Sequence, residues 1–246
     1  MNDFYDDKLA SIYDLMYPDI GDSRTIAQYI LANAPGKTIL EMGVGTGRLA
    51  LPLVEAGFTV SGLDNSESML DILRQKDRDN SVRVQVADFG RDTLQDQKYD
   101  TCLLACNTIY SVLDMEAQLR IFQNAHLALN DDGIFVVEAF NPLWLLRKGS
   151  EFMQMRPLDA DKTLIEQYHI FPTQQQVTVD NIVVGTSAAQ SVNLRFRHII
   201  RYIHPFEMDV LACAAGFELK ERYGSFSKQP YSENSTRIVS TYWKCD

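Results

Sequence analysis

The chain has 246 residues, of which 46% are hydrophobic, and these values predict a globular protein with a substantial core. Its formal net charge is -10, which provides no basic face for a polyanion, so we expect no nucleic-acid partner. No stretch approaches the ~18 consecutive apolar residues of a membrane span, and the acidic first residues lack a signal-peptide pattern, so we expect a cytoplasmic protein with no membrane partner.

Residues 22–33 are predicted to form a helix, with Asp22 or Ser23 as its N-cap. Short apolar strands and amphipathic helices then alternate. The predicted strands of this region are KTILEM, FTVSGLD, VRVQVAD, YDTCLLAC and GIFVVEAF. With two closing strands near the C-terminus, this alternation predicts an α/β fold with a doubly wound, mostly parallel, Rossmann-like sheet of seven strands.

The rhythm of strands and helices changes near Asn141. Three stretches with strand character lie between residues 163 and 203 with no helix among them, which predicts a small inserted antiparallel sheet. We therefore expect residues 1–140 and 204–246 to form one α/β domain, and residues 141–203 to form an insertion that covers the substrate.

The four cysteines and four histidines are scattered along the chain. Zinc sites need closer clustering of such ligands, so the sequence predicts no metal. Cys102 and Cys106 share one apolar run and are expected to be core thiols. A monomer and a homodimer are both compatible with the sequence.

Three glycines, Gly43, Gly45 and Gly47, follow the first predicted strand and its terminal acid, Glu41. A nucleoside-triphosphate loop requires Lys and then Ser or Thr after the last glycine, whereas this chain has Arg and Leu. A nicotinamide fingerprint fits GTGRLA, with Asp64 near the expected offset, but its first glycine lies several residues beyond the strand. A nicotinamide-dependent oxidoreductase therefore stays open as an alternative.

The helix after these glycines is predicted over residues 47–56, with Thr46 near its N-cap. Pro52 then stands about one turn inside the helix, where it is expected to bend the helix or remove a hydrogen bond.

The segment EMGVGTG resembles motif I, acid-x-G-x-G-x-G, of the class I S-adenosylmethionine-dependent methyltransferases. Four later segments resemble the family's motifs in the expected order, with Asp-Asp-Gly where Pro-Gly is usual before the fifth strand. The four segments are SGLDNSESML, VADF, YDTCLLACNTIYSVLD and LALNDDGIFVVE. RYIHPFEMDVLACAAGFE is similar to a segment of small-molecule methyltransferases, with His204 where Thr is more usual.

The N-terminal segment FYDDKLASIYDLMY resembles the tyrosine-bearing lid of bacterial sugar and antibiotic N-methyltransferases. The resemblance implies a lid over about residues 1–20. We expect this lid to gain order when the cofactor binds, because its acids leave it little apolar area of its own.

The resemblance implies S-adenosylmethionine as cofactor and S-adenosylhomocysteine as product. Glu41 would attract the ammonium group through water, Asp64 would accept both ribose hydroxyls, and Asp88 would accept from the adenine amino group. The implied cofactor contacts are Tyr5, Tyr13, Glu41, Gly43, Gly45, Thr46, Gly47, Arg48, Asp64, Asn65, Met69, Asp88, Phe89, Cys106 and Asn107. Each acid has an alternative interpretation as a helix or turn cap.

The same resemblance implies candidates on the acceptor side. The candidate catalytic residues are Tyr5, Tyr13 and His204. The candidate substrate-binding residues are Tyr17, Tyr110, Trp144, Arg195, Arg197 and Tyr202. Plain packing is the alternative for the tyrosines and for His204, and solvated edge charges are the alternative for the two arginines.

Methyl transfer proceeds mainly by proximity and desolvation, so it requires no obvious catalytic residue. The sequence therefore predicts a methyltransferase that acts on a nitrogen or oxygen of a small-molecule acceptor in specialised metabolism. A non-catalytic S-adenosylmethionine-binding protein is a further alternative.

Overall fold

The computed structural model describes residues 7–18, 22–92, 97–185 and 193–245. Its helices are α1 (Asp7–Met16), α2 (Asp22–Asn33), α3 (Ala50–Glu55), α4 (Glu67–Lys76), α5 (Met115–Ala128), α6 (Pro142–Leu146) and α7 (Pro205–Ala214). A short 3-10 helix covers Thr108–Ser111. Tyr5 and the first part of the predicted lid lie outside the described residues. No described helix is long and apolar enough to cross a membrane.

The strands form two sheets. The first contains β1 (Thr38–Met42), β2 (Thr59–Asp64), β3 (Val82–Val86), β4 (Tyr99–Leu104), β5 (Leu129–Phe140), β10 (Phe217–Tyr223) and β11 (Arg237–Lys244). The second contains β6 (Glu151–Pro157), β7 (Lys162–Phe171), β8 (Gln176–Gly185) and β9 (Asn193–Arg201).

The first sheet has the order β10-β11-β5-β4-β1-β2-β3. Strands β1 to β5 pair in parallel, while β11 is antiparallel to both of its neighbours. The central strands are buried along most of their length, because helices cover both faces of the sheet. The predicted seven-stranded, mostly parallel fold is confirmed.

The second sheet is antiparallel throughout and has four strands, in the order β6-β7-β8-β9, where the sequence predicted three. Strand β6 escaped prediction because it is a mostly exposed edge strand with no apolar run. Its residues and those of the other three strands fall inside the range 141–203 that was predicted for the insertion.

Helix α3 begins three residues later than predicted, at Ala50, with Leu49 at the N-cap position instead of Thr46. Pro52 is therefore in the first turn of the helix. The position of its missing amide lies between the hydrogen bonds from Leu51 to the carbonyl of Gly47 at 3.1 Å and from Leu53 to that of Leu49 at 3.0 Å, so one bond of the series is lost, as the sequence predicted. Regular helix therefore begins only at Ala50, and the glycine-rich loop continues further than the sequence pattern indicated.

Helix α1 packs on the second sheet through an apolar face. Leu9 and Met16 are almost fully buried in a cluster with Leu164 and Val183. Arg156 of β6 donates to the carbonyl of Met16 at 2.5 Å, at the end of the helix. The lid segment therefore has more apolar area of its own than its acidic residues suggested.

Candidate active site

A cavity of about 360 Å³ lies at the carboxyl ends of the parallel strands, where open α/β sheets bind ligands. Helix α1 and strand β9 close its opposite side. The lining residues are Tyr13, Gly43, Gly45, Asp64, Asn65, Met69, Asp88, Phe89, Arg91, Cys106, Thr108, Ser111, Val112, Leu113, Asp114, Ala117, His198, Ile199 and Ile200.

The glycine-rich loop can approach its neighbours only because it lacks side chains. Gly43 has φ +83°, and a Cβ there would lie 2.5 Å from Cγ2 of Thr108. A Cβ on Gly45 would meet nothing closer than 3.5 Å, so this glycine keeps part of the cavity wall open. Gly47 serves packing, because its Cβ would lie 2.8 Å from Leu73 of α4.

The Asp64 carboxylate joins the glycine-rich loop to the start of α4. Its Oδ2 accepts from the amide of Gly45 at 2.8 Å, and its Oδ1 accepts from the amide of Ser66 at 3.0 Å. Burial raises the pKa of Asp64, while these backbone hydrogen bonds lower it. Both oxygens keep lone pairs that can accept from a ligand's hydroxyl groups.

Glu41 and Arg48 lie at the base of the glycine-rich loop. Glu41 is 4% exposed, and its Oε2 has no hydrogen-bond partner among the described residues. Burial raises the pKa of Glu41 to about 8, and the charge of Arg48 partly opposes that shift. Glu41 and Arg48 do not themselves line the cavity.

Asp88 and Phe89 follow β3 and line the next part of the cavity. The Asp88 Oδ1 accepts from the amide of Gly90 at 3.1 Å, while its Oδ2 lies 3.7 Å from the Arg91 guanidinium. Asn65 and Met69, which were also predicted as cofactor contacts, line the same region. The arrangement offers a carboxylate beside an aromatic ring.

Two residues with left-handed backbone follow β4. Cys106 has φ 58° and Asn107 has φ 64°. The amide of Cys106 donates to Oε2 of Glu138 at 2.7 Å, and Asn107 Oδ1 accepts from the amide of Phe140 at 2.6 Å. Burial raises the pKa of Cys106 to about 12, so its thiol stays protonated.

Tyr13 is the α1 residue that reaches the cavity. Burial raises its pKa, with the nearby thiol of Cys106 the next largest cause, so the hydroxyl is neutral. Tyr17, one turn later, packs against Tyr13 with ring centroids 5.0 Å apart and does not line the cavity. Burial raises the pKa of Tyr17 to about 12.

The second sheet contributes His198, Ile199 and Ile200 of β9 to the cavity. His198 Nδ1 lies 3.1 Å from Nδ2 of Asn181, and that Nδ2 also donates to the carbonyl of Val179 at 3.2 Å. Burial lowers the pKa of His198 to about 4, so its imidazole is neutral at neutral pH.

Strand alternation directs Arg195 and Arg197 to the face of the sheet opposite His198. Both arginines are exposed, and Arg197 forms a bidentate pair with Asp180 at 2.7 and 2.9 Å. The structure therefore does not bring these predicted substrate-binding residues to the cavity.

Four other acceptor-side candidates, among them the predicted catalytic residue His204, also lie apart from the cavity lining of the described residues. Tyr110 is fully buried, and its hydroxyl lies within hydrogen-bond distance of two carbonyls, 2.9 Å from that of Phe140 and 3.1 Å from that of Ile203. Tyr202 packs edge-on against His204, which occupies the N-cap position of α7. Trp144 of α6 is 38% exposed.

Of the predicted cofactor contacts, nine line the cavity: Tyr13, Gly43, Gly45, Asp64, Asn65, Met69, Asp88, Phe89 and Cys106. Thr46, Gly47 and Asn107 lie in the loops behind the lining. Sequence reasoning did not select Arg91, Thr108, Ser111, Val112, Leu113, Asp114, Ala117, His198, Ile199 and Ile200. The residues of this group that follow β3 and β4 could have been predicted from the sequence, because they come directly after the ends of strands.

Glu138 was also missed. The signal for it was one acidic residue inside the apolar strand GIFVVEAF, since a buried charge requires a partner.

Comparisons with known proteins agree on one family. A family model described as "Methyltransferase domain" matches residues 39–133. The CcbJ methyltransferase of Streptomyces caelestis is 30% identical, with a TM-score of 0.90 over 99% of this chain and 98% of that chain. The cypemycin N-terminal methyltransferase of a Streptomyces species is 24% identical over 96% of this chain and 95% of the relative.

A sugar N-methyltransferase, KedS8 from a Streptoalloteichus species, shares the fold at 16% identity, with a TM-score of 0.75 over 95% of this chain and 93% of that chain. The glycine-rich loop followed by acids at successive strand ends is common to the predicted and observed site. This chain belongs to the class I S-adenosylmethionine-dependent methyltransferases.

Proposed function

We propose that this enzyme transfers a methyl group from S-adenosylmethionine to an amine nitrogen of a small-molecule acceptor. The observation that carries the proposal is one continuous cavity, which extends from Gly43 and Asp64 to the neutral His198 of the second sheet. One end offers groups suited to a cationic nucleoside, and the other offers a weak base among apolar side chains.

The residues present fit S-adenosylmethionine. The buried Glu41 Oε2 without a partner suits an ammonium group. Arg48 forms no hydrogen bond or ion pair with the described residues, and its half-buried guanidinium suits a carboxylate. Asp64 would accept from the ribose hydroxyls, and Asp88 with Phe89 would hold the adenine.

When bound, S-adenosylmethionine would supply an electrophilic methyl: a nitrogen–carbon bond would form as the sulfur–carbon bond breaks, S-adenosylhomocysteine would leave, and the methylated ammonium would give its proton to water. Tyr13 would cover this site from α1 with a neutral hydroxyl, which can orient an amine without taking its proton. Ile200, on the same face of β9 as His198, would exclude water from the reacting centre.

The acidities of the cavity residues favour nitrogen over oxygen. An aliphatic alcohol must lose its proton as it attacks, which requires a base with a pKa near the working pH. His198, with a pKa of about 4, is a poor base for that step. A neutral amine already has a free lone pair and needs only to be positioned.

The names of similar proteins support the same choice. One similar protein is a cypemycin N-terminal methyltransferase, another a sugar N-methyltransferase, and a third a glycopeptide N-methyltransferase that was solved with S-adenosylmethionine. A small amine of specialised metabolism is therefore the acceptor class that we propose.

The test is methyl transfer from S-adenosylmethionine with a trideuterated methyl group, followed by mass spectrometry. The panel pairs amino sugars and short peptides having a free amino terminus with analogues that carry a hydroxyl in place of the amine. We expect a gain of one labelled methyl in amines only. Transfer to the hydroxyl analogues would contradict the choice of nitrogen.

Calorimetry with S-adenosylhomocysteine and with NADH is the accompanying control. Binding of the first and not the second is expected. Tight binding of S-adenosylhomocysteine together with no transfer to any acceptor of the panel would favour a non-catalytic binding protein.

A further inference from the structure

We infer that Glu138 is a positioning residue, which holds the left-handed turn at Cys106 and Asn107 in the shape that forms the wall of the methyl-transfer cavity. This role rests on the proposed function, because it concerns the methyl-transfer cavity. Its test measures the backbone and the bound cofactor and needs no acceptor.

The turn adopts a left-handed backbone conformation, which asparagine tolerates and cysteine disfavours. Positive φ is uncommon outside glycine, and here two consecutive residues, Cys106 and Asn107, have it. Such strained positions persist only where surrounding contacts impose them. The contacts that impose this turn are therefore part of the site's construction.

Two hydrogen bonds join the turn to β5 in opposite directions. The Glu138 side chain accepts from the amide of Cys106 at 2.7 Å, and the side chain of Asn107 accepts from the amide of Phe140 at 2.6 Å. The turn after β4 and strand β5 thus each provide one side-chain acceptor for a backbone amide of the other. Without Glu138, the amide of Cys106 would lose this partner.

Glu138 is itself held in place. It is 5% exposed, and its Oε1 lies 3.8 Å from Nε of Arg237. Arg237 in turn donates to Asp22, the first residue of α2, at 2.5 Å. Both ends of the carboxylate therefore have a partner, so its position is determined by the scaffold and not by solvent.

The turn lies where a small displacement would reach the reacting groups. Cys106 lines the same cavity as Tyr13 of α1. Thr108, just beyond the turn, lies so close to Gly43 of the glycine-rich loop that a Cβ on Gly43 would be 2.5 Å from its Cγ2. A shift of the turn would thus move the wall between the proposed cofactor and the lid tyrosine, and displacements on the order of 1 Å cost rate steeply in such sites.

Two conservative variants separate the reach of Glu138 from its charge. Glu138→Gln keeps an oxygen at the same reach and removes the charge. Glu138→Asp keeps the charge and withdraws the oxygens by about one bond length, about 1.5 Å. If Glu138 acts through the amide of Cys106, the turn should keep its wild-type order in Glu138→Gln and lose it in Glu138→Asp.

Amide hydrogen exchange of Cys106 is the first readout. We expect at least tenfold faster exchange in Glu138→Asp and an unchanged rate in Glu138→Gln. The second readout is the methyl resonance of bound S-adenosylmethionine labelled with 13C, which should shift and broaden in the aspartate variant only. Neither readout needs methyl transfer, so a failure of the proposed acceptor class leaves this test intact.

Glu166→Asp is the matched control. Glu166 is 4% exposed and lies 3.6 Å from an arginine, Arg156, so its burial and pairing resemble those of Glu138. This control should leave the exchange of Cys106 unchanged. The inference is overturned if Glu138→Asp exchanges at the wild-type rate, or if Glu138→Gln is the variant that loosens the turn, since the charge would then be what matters.

Discussion

The Asp14 Oδ1 in α1 accepts a hydrogen bond from the hydroxyl of Thr46 in the glycine-rich loop, at 2.6 Å. Lys76, the last residue of α4, forms an ion pair with the other oxygen of Asp14 and donates to the carbonyl of Thr46 at 2.9 Å. Three segments thus meet at one carboxylate, next to Tyr13 in the sequence. Helix α1, in the predicted lid, is thus hydrogen-bonded directly to the loop that would hold the cofactor.

Asp14→Ala should loosen α1 and weaken cofactor binding. The Asp14 side chain is 43% exposed, so solvent screens the pair and we expect the loss to be only about fivefold in S-adenosylhomocysteine affinity, about 1 kcal/mol. Calorimetry gives the affinity, and hydrogen exchange over residues 7–17 gives the order of the helix. Asp71→Ala removes an exposed pair on α4 with Arg74 and should change neither quantity.

Glu41 should make cofactor binding depend on pH. Its pKa is about 8 in the folded protein without ligand, so at pH 6.5 its carboxyl is mostly protonated and attracts an ammonium group weakly. Binding is expected to ionise Glu41 and release a proton, so affinity should rise from pH 6.5 to 8. Calorimetry in buffers of different ionisation enthalpy measures that proton, and Glu41→Gln should bind with neither the pH trend nor the release that Glu41 causes.

The same residue should affect stability in the opposite direction. The folded protein keeps the Glu41 proton where the unfolded chain, with an ordinary pKa of 4.5, has lost it. The stabilisation is therefore fully present below pH 4.5 and is lost as pH rises toward 8. The melting temperature of wild type relative to Glu41→Gln should fall over this interval, and parallel curves for the two proteins would show that the carboxyl titrates normally.

The cofactor half of the site was predictable because its geometry is local. Glu41, Asp64 and Asp88 each stand at or just after the end of a strand, and parallel strands bring those ends to one edge. The acceptor half depends on how the second sheet packs. Whether His198 or Arg197 faces inward is decided by contacts with α1 and the first sheet, which alternation along β9 alone does not reveal.

The length of the glycine-rich loop was misjudged for a different reason. Leu49, Ala50 and Leu53 are all buried, which fits a helix that starts at either residue 47 or residue 50. Pro52 was the informative residue, because proline is well tolerated in the first turn of a helix and poorly one turn later.

Asp64 should prove essential to cofactor binding through two roles, one toward the backbone and one toward the ribose. Asp64→Ala removes the acceptor for the amides of Gly45 and Ser66 as well as for a ribose, so we expect a loss on the order of 1.5 to 3 kcal/mol in S-adenosylhomocysteine binding. Asp64→Asn keeps one oxygen acceptor and should lose less. Calorimetry measures both losses, and an unchanged affinity in Asp64→Ala would remove this residue from the site.

His198 should govern turnover of the acceptor while leaving cofactor affinity nearly intact. It belongs to a row of side chains that crosses the inner face of the second sheet with Val179 and Tyr168. Asn181 holds its ring from the neighbouring strand at 3.1 Å. His198→Leu keeps an apolar side chain of roughly similar size but removes both ring nitrogens, so turnover of the amine should fall at least tenfold, with S-adenosylhomocysteine affinity within about twofold.

Arg197→Gln completes this comparison, because Arg197 is the adjacent residue of β9 and faces the opposite side of the sheet. Turnover of the amine by Arg197→Gln is expected to match that of the wild-type enzyme. An equal loss in both variants would return Arg197 to the acceptor site and contradict the orientation of the strand. Because the pKa of His198 is about 4, wild-type turnover should show no titration of this histidine between pH 5.5 and 8, and a step near pH 6.5 that vanishes in His198→Leu would mean that the imidazole is charged during part of the working range.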